Sequence, residues 1–543
     1  MKKLLVLLLT AAMTVGVLGA CAVAPAAPAA SGTESAPAVA EAAGETVEAE
    51  AAEDVSYKDT IIIGTANDQN IMDGHNNNTN DVMLRAVYSQ LVRKGADNKI
   101  EGDLAESWEV SEDSLTWTFH LRHGVKFQSG KELTAADVKA SYDRLLGGEQ
   151  RYSSTVSGYI TGCNVVDDYT VELTTPTPIA PMLTNLCHRA HLILNADYIE
   201  KYGADLGTSV ETTDGTGPYK LAKWDMDQEM VFERFDDYFR GPVPTKTIDI
   251  NIIKDANARL VALESGAVDM TSVGTSDLAT VEANPDLVVW KFDSIGTQGL
   301  QFNCANEYMA DPRVRQAVSL AIDRQLIVDT LYSDIGEKAC TCTVHPLIIG
   351  YNDLGVIKQD QEKAKELLAE AGYADGFDII IMDSGYNKSL EACEMIVAML
   401  AEVGIRAEID TVDSATFRGS MGNRSFPGDN FKWALFYMGW GGAGDADEMR
   451  RVWTTSPDGN NNNNYGWYSN AEVDQLLADA AKEMDEAKRM DLYKRAEEIL
   501  YIEDPAAIFM NDRFVFWCTT NKLEGLKVNV NSVIFWDELK VAE

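Results

Sequence analysis

Apolar and polar residues alternate most regularly where Leu115, Trp117, Phe119 and Leu121 interleave with Thr116, Thr118, His120 and Arg122. A period of two predicts a half-buried strand. Upstream, the apolar run of 60–64 predicts a buried strand, the Asn- and Asp-rich 67–80 a loop, and 81–92 a helix. Gly124 and Gly130 bracket a short second strand, and Thr134 with Asp137 marks the capping-box start of a helix that stops at Gly147-Gly148. Further strands are expected at 169–173, 230–235, 248–253 and 433–438, with a turn at 216–219. Helices are expected from Ala256, from Asp311 as N-cap with Pro312 at N1, and over 361–371, 387–402, 470–487 and 490–501. No internal repeat is visible. Helices alternating with strands over this length indicate an α/β protein.

The N-terminus follows a different pattern. Lys2 and Lys3 precede an apolar run from Leu4 to Val17, too short to span a bilayer, which needs about 20 apolar residues. The run ends in Leu18-Gly19-Ala20-Cys21, which resembles a bacterial lipobox. That pattern makes 1–20 a signal peptide and Cys21 the lipid-modified first residue of the mature chain. Residues 22–55 contain Ala, Pro, Gly, Ser, Thr, Val and acids, with no Lys, Arg or aromatic. Such a stretch cannot bury enough apolar area to offset its ordering entropy. It reads as a tether (21–56) reaching roughly 110 Å when extended, at about 3.3 Å per residue.

Composition narrows the partners. The formal net charge of −39 argues against nucleic acid, whose phosphates require clustered Lys and Arg. The remaining chain is long enough for about three domain-sized units. Of eight cysteines, seven remain after Cys21, an odd number, with no Cys-x-x-Cys. Spacing alone assigns no disulfide.

Five blocks in order are specific together. They are Leu104-Ala-Glu-Ser-Trp108 with 117–122, 124–127 and 133–138; Gly215-Thr-Gly-Pro-Tyr219; 311–317 with 321–324; 364–373; and 468–474. Across 57–536 the chain resembles the family-five extracellular solute-binding proteins, the peptide, nickel and opine receptors of ABC importers. The resemblance implies a two-lobed periplasmic-binding-protein-like fold with an extra subdomain in the first lobe, closing on its ligand like a hinge. The first lobe would comprise 57–100, 215–298 and the returning 511–543. The extra subdomain would be 101–214 and the second lobe 299–510, with crossings near Gly296–Gly299 and Asn511–Arg513. The implied role is a lipid-anchored, extracytoplasmic, monomeric receptor without cofactor, at the cell surface or in the periplasm, that passes peptides to a permease. A nickel complex or an oligosaccharide is the alternative ligand on the same fold, and a surface peptide hydrolase the alternative of another class.

Candidate chemistry concentrates at 439–448. Gly439-Trp-Gly-Gly-Ala-Gly444 matches G-x-G-x-x-G after a predicted strand, but Asp445, Asp447 and Glu448 follow, where a pyrophosphate would meet a helix N-terminus. Position 464 is Asn rather than the acid a dinucleotide site needs. In peptide-binding members of the resembled family, a Gly-Trp pair followed by Asp takes the ligand's ammonium. Gly439-Trp440 with Asp445 or Asp447 matches that pattern with a longer spacing, and the other reading has both acids capping the next helix. Trp440, Trp453, Trp467 and Tyr465 are candidate pocket walls, and 460–464 reads as a surface loop. Cys187, His188 and His191, and Cys340, Cys342 and His345, lack structural-zinc spacing. Cys163 with Cys187 is a candidate disulfide, since export permits one. G-x-S-x-G, H-E-x-x-H and G-K-[ST] are absent.

Overall fold

The computed structural model describes residues 55–543 apart from 80–81, 386, 423–431, 442–443 and 456–463. The signal peptide, Cys21, nearly all of the tether, Gly442-Ala443 and Asn460–Asn463 therefore lie outside the described residues.

Two long antiparallel strands, Leu287–Phe302 and Ala507–Thr520, form the spine. Their register shifts between Asp293 and Thr297 and again at Gln298/Gly299, where a Cβ on Gly299 would fall on the Ile508 carbonyl oxygen. Backbone that close leaves room only for glycine. One sheet extends from this spine in both directions. On one side lie Trp433–Trp440, Phe377–Asp383 and Ile405–Thr411; on the other lie Met270–Thr271, Thr60–Thr65, Thr247–Ile252, Glu229–Arg234 and Tyr219–Asp225. The parallel pairs, such as Thr60–Thr65 on Thr247–Ile252, are the ones that need crossover connections.

The core follows the same division. Ile61, Ile63, Phe232, Ile248 and Trp536 pack in the first lobe. Leu300, Phe302, Val318, Ile381, Ile396 and Leu435 pack in a core that reaches the second lobe. Trp453, Leu477, Tyr493 and Phe509 make a further cluster there. The extra subdomain has its own core of Phe119, Phe127, Val138, Tyr142 and Leu173. That core lies between helix Ala135–Leu146 and the sheet of Ala105–Val110, Thr116–Leu121, Thr170–Thr174 and Gly162–Asp167.

Local signals explain most boundaries. Asp137 accepts the Thr134 N–H at 3.0 Å, and the Gly147 N–H closes the same helix on Asp143. Asp311 accepts the Arg313 N–H at 2.9 Å ahead of helix Pro312–Ala321. Such caps contribute about 1 kcal/mol each.

Four expectations are corrected. The helix over 81–92 is one turn, Leu84–Val87, followed by strand Val92–Lys94. Tertiary bonds override helix propensity there: the Tyr88 hydroxyl donates to Met72 O and the Gln90 N–H to Asp103. The stretch between Gly124 and Gly130 forms a single bridge, Lys126 to Glu132, rather than a strand. The last two helices run Ala471–Ala480 and Glu486–Glu498, because Asp485 caps a new helix by accepting the Lys488 N–H. Asn464, expected on the surface, is buried and holds Thr454 O and Tyr468 O. Among the described residues no helix is long and apolar enough to cross a membrane.

Candidate functional site

A cavity of about 1250 Å³ lies against the crossing strands. Its walls come from residues within 82–103, 152–190, 439–482 and 529–537, from 294–296 with Arg513 on the crossing strands, and from Pro218 and Tyr238. The subdomain and second lobe touch directly, where the Ala180 N–H donates to Ala481 O at 2.9 Å. Gly444, at φ +91°, faces Lys94 of the first lobe so closely that a Cβ there would fall on the Lys94 Nζ.

Trp440 ends strand Trp433–Trp440, paired with Thr297 of the spine. Its ring packs on Trp453 and Phe509, with centroids 5.8 and 5.2 Å away. The loop after it is fixed by Ile349, whose N–H donates to Gly444 O and whose carbonyl accepts the Ala446 N–H. This places Asp445 in the cavity wall at 3% exposure. Both Asp445 oxygens accept from Arg489, the Tyr493 hydroxyl donates at 3.2 Å, and the Asp447 N–H donates at 2.9 Å. Burial pushes the Asp445 carboxyl above its ordinary range against the pull of Arg489. Asp447 also lines the wall and is gripped by the Arg450 fork at 2.7 and 2.8 Å. It makes no capping bond to the helix Glu448–Trp453 that it precedes.

The wall therefore brings Trp440, Asp445 and Asp447 together. Trp453 stands behind Trp440, 2% exposed, beside a separate void of about 20 Å³. Tyr465 and Trp467 are half-buried and do not line the cavity.

Several wall residues escaped the sequence reading: Arg85, Lys94, Arg189, Arg513 and Trp536. Only the local cluster of Arg85, Arg93 and Lys94 in an acidic chain hinted at them. Among the described lining residues eight are Lys or Arg and five are Asp or Glu. Each of those acids has an arginine partner. Besides the two aspartates above, Glu448 meets Arg451 at 2.9 Å, Asp103 meets Arg240 at 3.2 Å and Asp537 meets Arg93 at 3.9 Å. Burial depresses the Lys94 ammonium.

The His and Cys groups are accounted for by packing. Among the described residues no three His, Cys, Asp or Glu converge as metal ligands. His191 lies between the Tyr142 and Tyr159 hydroxyls, 3.1 and 2.6 Å from its ring nitrogens, and burial holds it well below the usual imidazole range. Cys163 and Cys187 do not pair: all seven described cysteines are free, and the Cys187 thiol donates to Leu183 O at 3.3 Å.

Residues 99–463 match the model of the bacterial extracellular solute-binding proteins, family 5. The chain belongs to this family. It is accordingly a solute-binding protein that works outside the cytoplasm with an ABC importer. Similar family-5 chains include the glutathione-binding protein GsiB of Salmonella choleraesuis (strain SC-B67), 31% identical over 443 residues, which are 78% of this chain and 84% of that one. The periplasmic binding protein DppA of Helicobacter pylori, solved in complex with peptide STSA, is 25% identical with a TM-score of 0.75, covering 89% of this chain and 98% of that one. The substrate-binding protein CtaP of Listeria monocytogenes, 23% identical with a TM-score of 0.81 over 90% of this chain and 100% of that one, shares the fold. These relatives are binding proteins of transporters rather than enzymes.

Proposed function

We propose that this chain is a lipid-anchored, monomeric receptor that encloses peptides between its two lobes and releases them to a membrane permease without chemical change. The observation that carries the reading is the cavity of about 1250 Å³ walled by both lobes and their crossing strands. That volume exceeds the roughly 300–1,000 Å³ of ordinary small-molecule sites. It leaves room for several residues of an extended peptide. The names of the relatives point the same way: glutathione, itself a tripeptide, and the peptide STSA. Asp445, with Asp447 as the second choice, is the wall acid proposed to receive the ligand's ammonium, with Trp440 beside it; each is already paired with an arginine, Asp445 with Arg489 and Asp447 with Arg450.

Incubating the purified protein with a peptide mixture and identifying what co-purifies tests this by mass spectrometry. Intact bound peptides are expected, and shortened products would instead indicate a hydrolase. The anchor is tested separately. Cys21→Ser should move the protein from the membrane fraction to the soluble one, and retention at the wild-type level would refute lipidation at Cys21.

A further inference from the structure

The void of about 20 Å³ beside Trp453 adjoins the main cavity. The two spaces share Ile295, Trp440, Gly441 and Glu448 in their linings, so these residues form the partition between them. The partition is thin at Gly441, where even a Cβ would meet no described atom within 4 Å.

The rest of the lining is apolar and stiff. Val344 and Ile348 come from one stretch, Met449, Val452 and Trp453 from helix Glu448–Trp453, and Phe509 from the spine. The rings of Trp440, Trp453 and Phe509 touch one another, with centroids 5.2–5.8 Å apart. The polar members are engaged. The Thr343 hydroxyl donates to Met449 Sδ at 3.1 Å, and His345 Nδ1 accepts the Leu347 N–H at 3.2 Å. Burial lowers the His345 pKa to about 4, so its ring is neutral at physiological pH. Glu448, at the partition, holds Arg451 at 2.9 Å. What the void offers is apolar contact in a volume that takes about one water-sized group.

Its position gives that volume a meaning. Asp445 lies on the loop between Gly441 and Glu448, two members of the partition. The ammonium and the first side chain of a peptide are attached to the same carbon. An ammonium held at Asp445 therefore brings the first side chain to the partition, while later residues lead away along the cavity. One methyl group filling the void would tighten binding about fourfold over hydrogen. A longer side chain would have to displace rings that already touch, a strain that weakens binding by roughly five- to a hundredfold.

We propose that this void is the pocket for the side chain of the ligand's first residue and restricts that residue to the size of Gly, Ala or Ser. The proposal rests on the peptide-receptor reading above, with the ammonium at Asp445, and adds a size limit at one defined position.

The test is isothermal titration of the full-length protein with tetra-alanine peptides in which the first, second or third residue is replaced in turn by Gly, Leu or Phe. At the first position Ala should bind about fourfold more tightly than Gly, and Leu and Phe at least about fivefold more weakly than Ala. The second and third positions should show no such limit. Ile348→Ala enlarges the void and should recover most of the loss for Leu at the first position only, its thermal midpoint reporting that it folds; if it does not fold, the wild-type series decides alone. Leu or Phe bound as tightly as Ala at the first position, a size limit at the second or third position instead, or a folded Ile348→Ala protein with the Leu loss unchanged would each overturn the pocket while leaving the peptide reading intact. If none of the peptides binds, the peptide reading itself is overturned and this inference falls with it.

Discussion

The sharpest test of Asp445 leaves the protein untouched and modifies the ligand. Asp445 is 3% exposed and already carries Arg489, so an incoming ammonium meets a paired carboxylate rather than a bare one. At about 3 Å and an effective dielectric of about 20, the carboxylate attracts the ammonium by about 5 kcal/mol, and a guanidinium about 5–6 Å away takes back about 3. The remaining contribution of about 2 kcal/mol corresponds to roughly thirtyfold in Kd. Acetylating the peptide's amino group removes that interaction and should weaken binding to wild type by this factor in isothermal titration. An acetylated peptide that binds as tightly as the free one, or more tightly, refutes Asp445 as the anchor. Asp445→Asn is the poorer probe of binding. It strands Arg489, whose side chain is 10% exposed, and should cost about 3–5 kcal/mol of stability, visible as a lower thermal midpoint without any ligand.

Two further outcomes follow from groups away from Asp445. Glu497 is fully buried, its carboxylate accepting from Asn352 at 2.6 Å, and burial raises its pKa from 4.5 to about 8. The folded chain thus keeps a proton that the unfolded chain loses, so this stabilising contribution is complete below about pH 4.5 and is lost as the pH rises to about 8. Glu497→Gln should flatten the decline of the thermal midpoint over that window, and parallel curves for the two proteins would count against a protonated Glu497. Gly444→Ala places a methyl on Lys94 of the facing lobe at a left-handed φ of +91°. It should disfavour the closed form, raise the apparent Kd and leave a larger radius of gyration in solution scattering at saturating peptide. A wild-type scattering profile would refute the contact's role in closure.

What the sequence revealed of the fold was whatever is written locally. Phe119 and Leu121 announce their strand by period two, and Asp311-Pro312 announces its helix by a cap and a fixed φ. The segment at 81–92 misled for the complementary reason. Its apolar residues have helical spacing, but Tyr88 and Gln90 spend their hydrogen bonds on Met72 and Asp103, partners that no local window contains. The junction between the last two helices shifted because one aspartate, Asp485, outweighed a continuous amphipathic pattern. Seven free cysteines in an exported chain make a similar point, since Cys163 is buried as an apolar side chain rather than held by a bond.

The site was half legible for a related reason. An acid cluster after Gly439-Trp440 can be seen in one line of sequence, so Asp445 and Asp447 were found. Their partners were only partly within reach: Arg450 is three residues from Asp447, but Arg489 is 44 residues from Asp445 and on another helix. The basic wall residues were barely legible, because Arg85, Arg93 and Lys94 form one local cluster while Arg189 and Arg513 stand far from it in a strongly acidic chain. Net charge is a sum over surface that a bound ligand does not touch, and screening removes most of that sum within about one Debye length. A composition of −39 therefore constrains which macromolecules approach the outside of this protein, while the charged groups that line the cleft are a handful of residues that only the fold brings together.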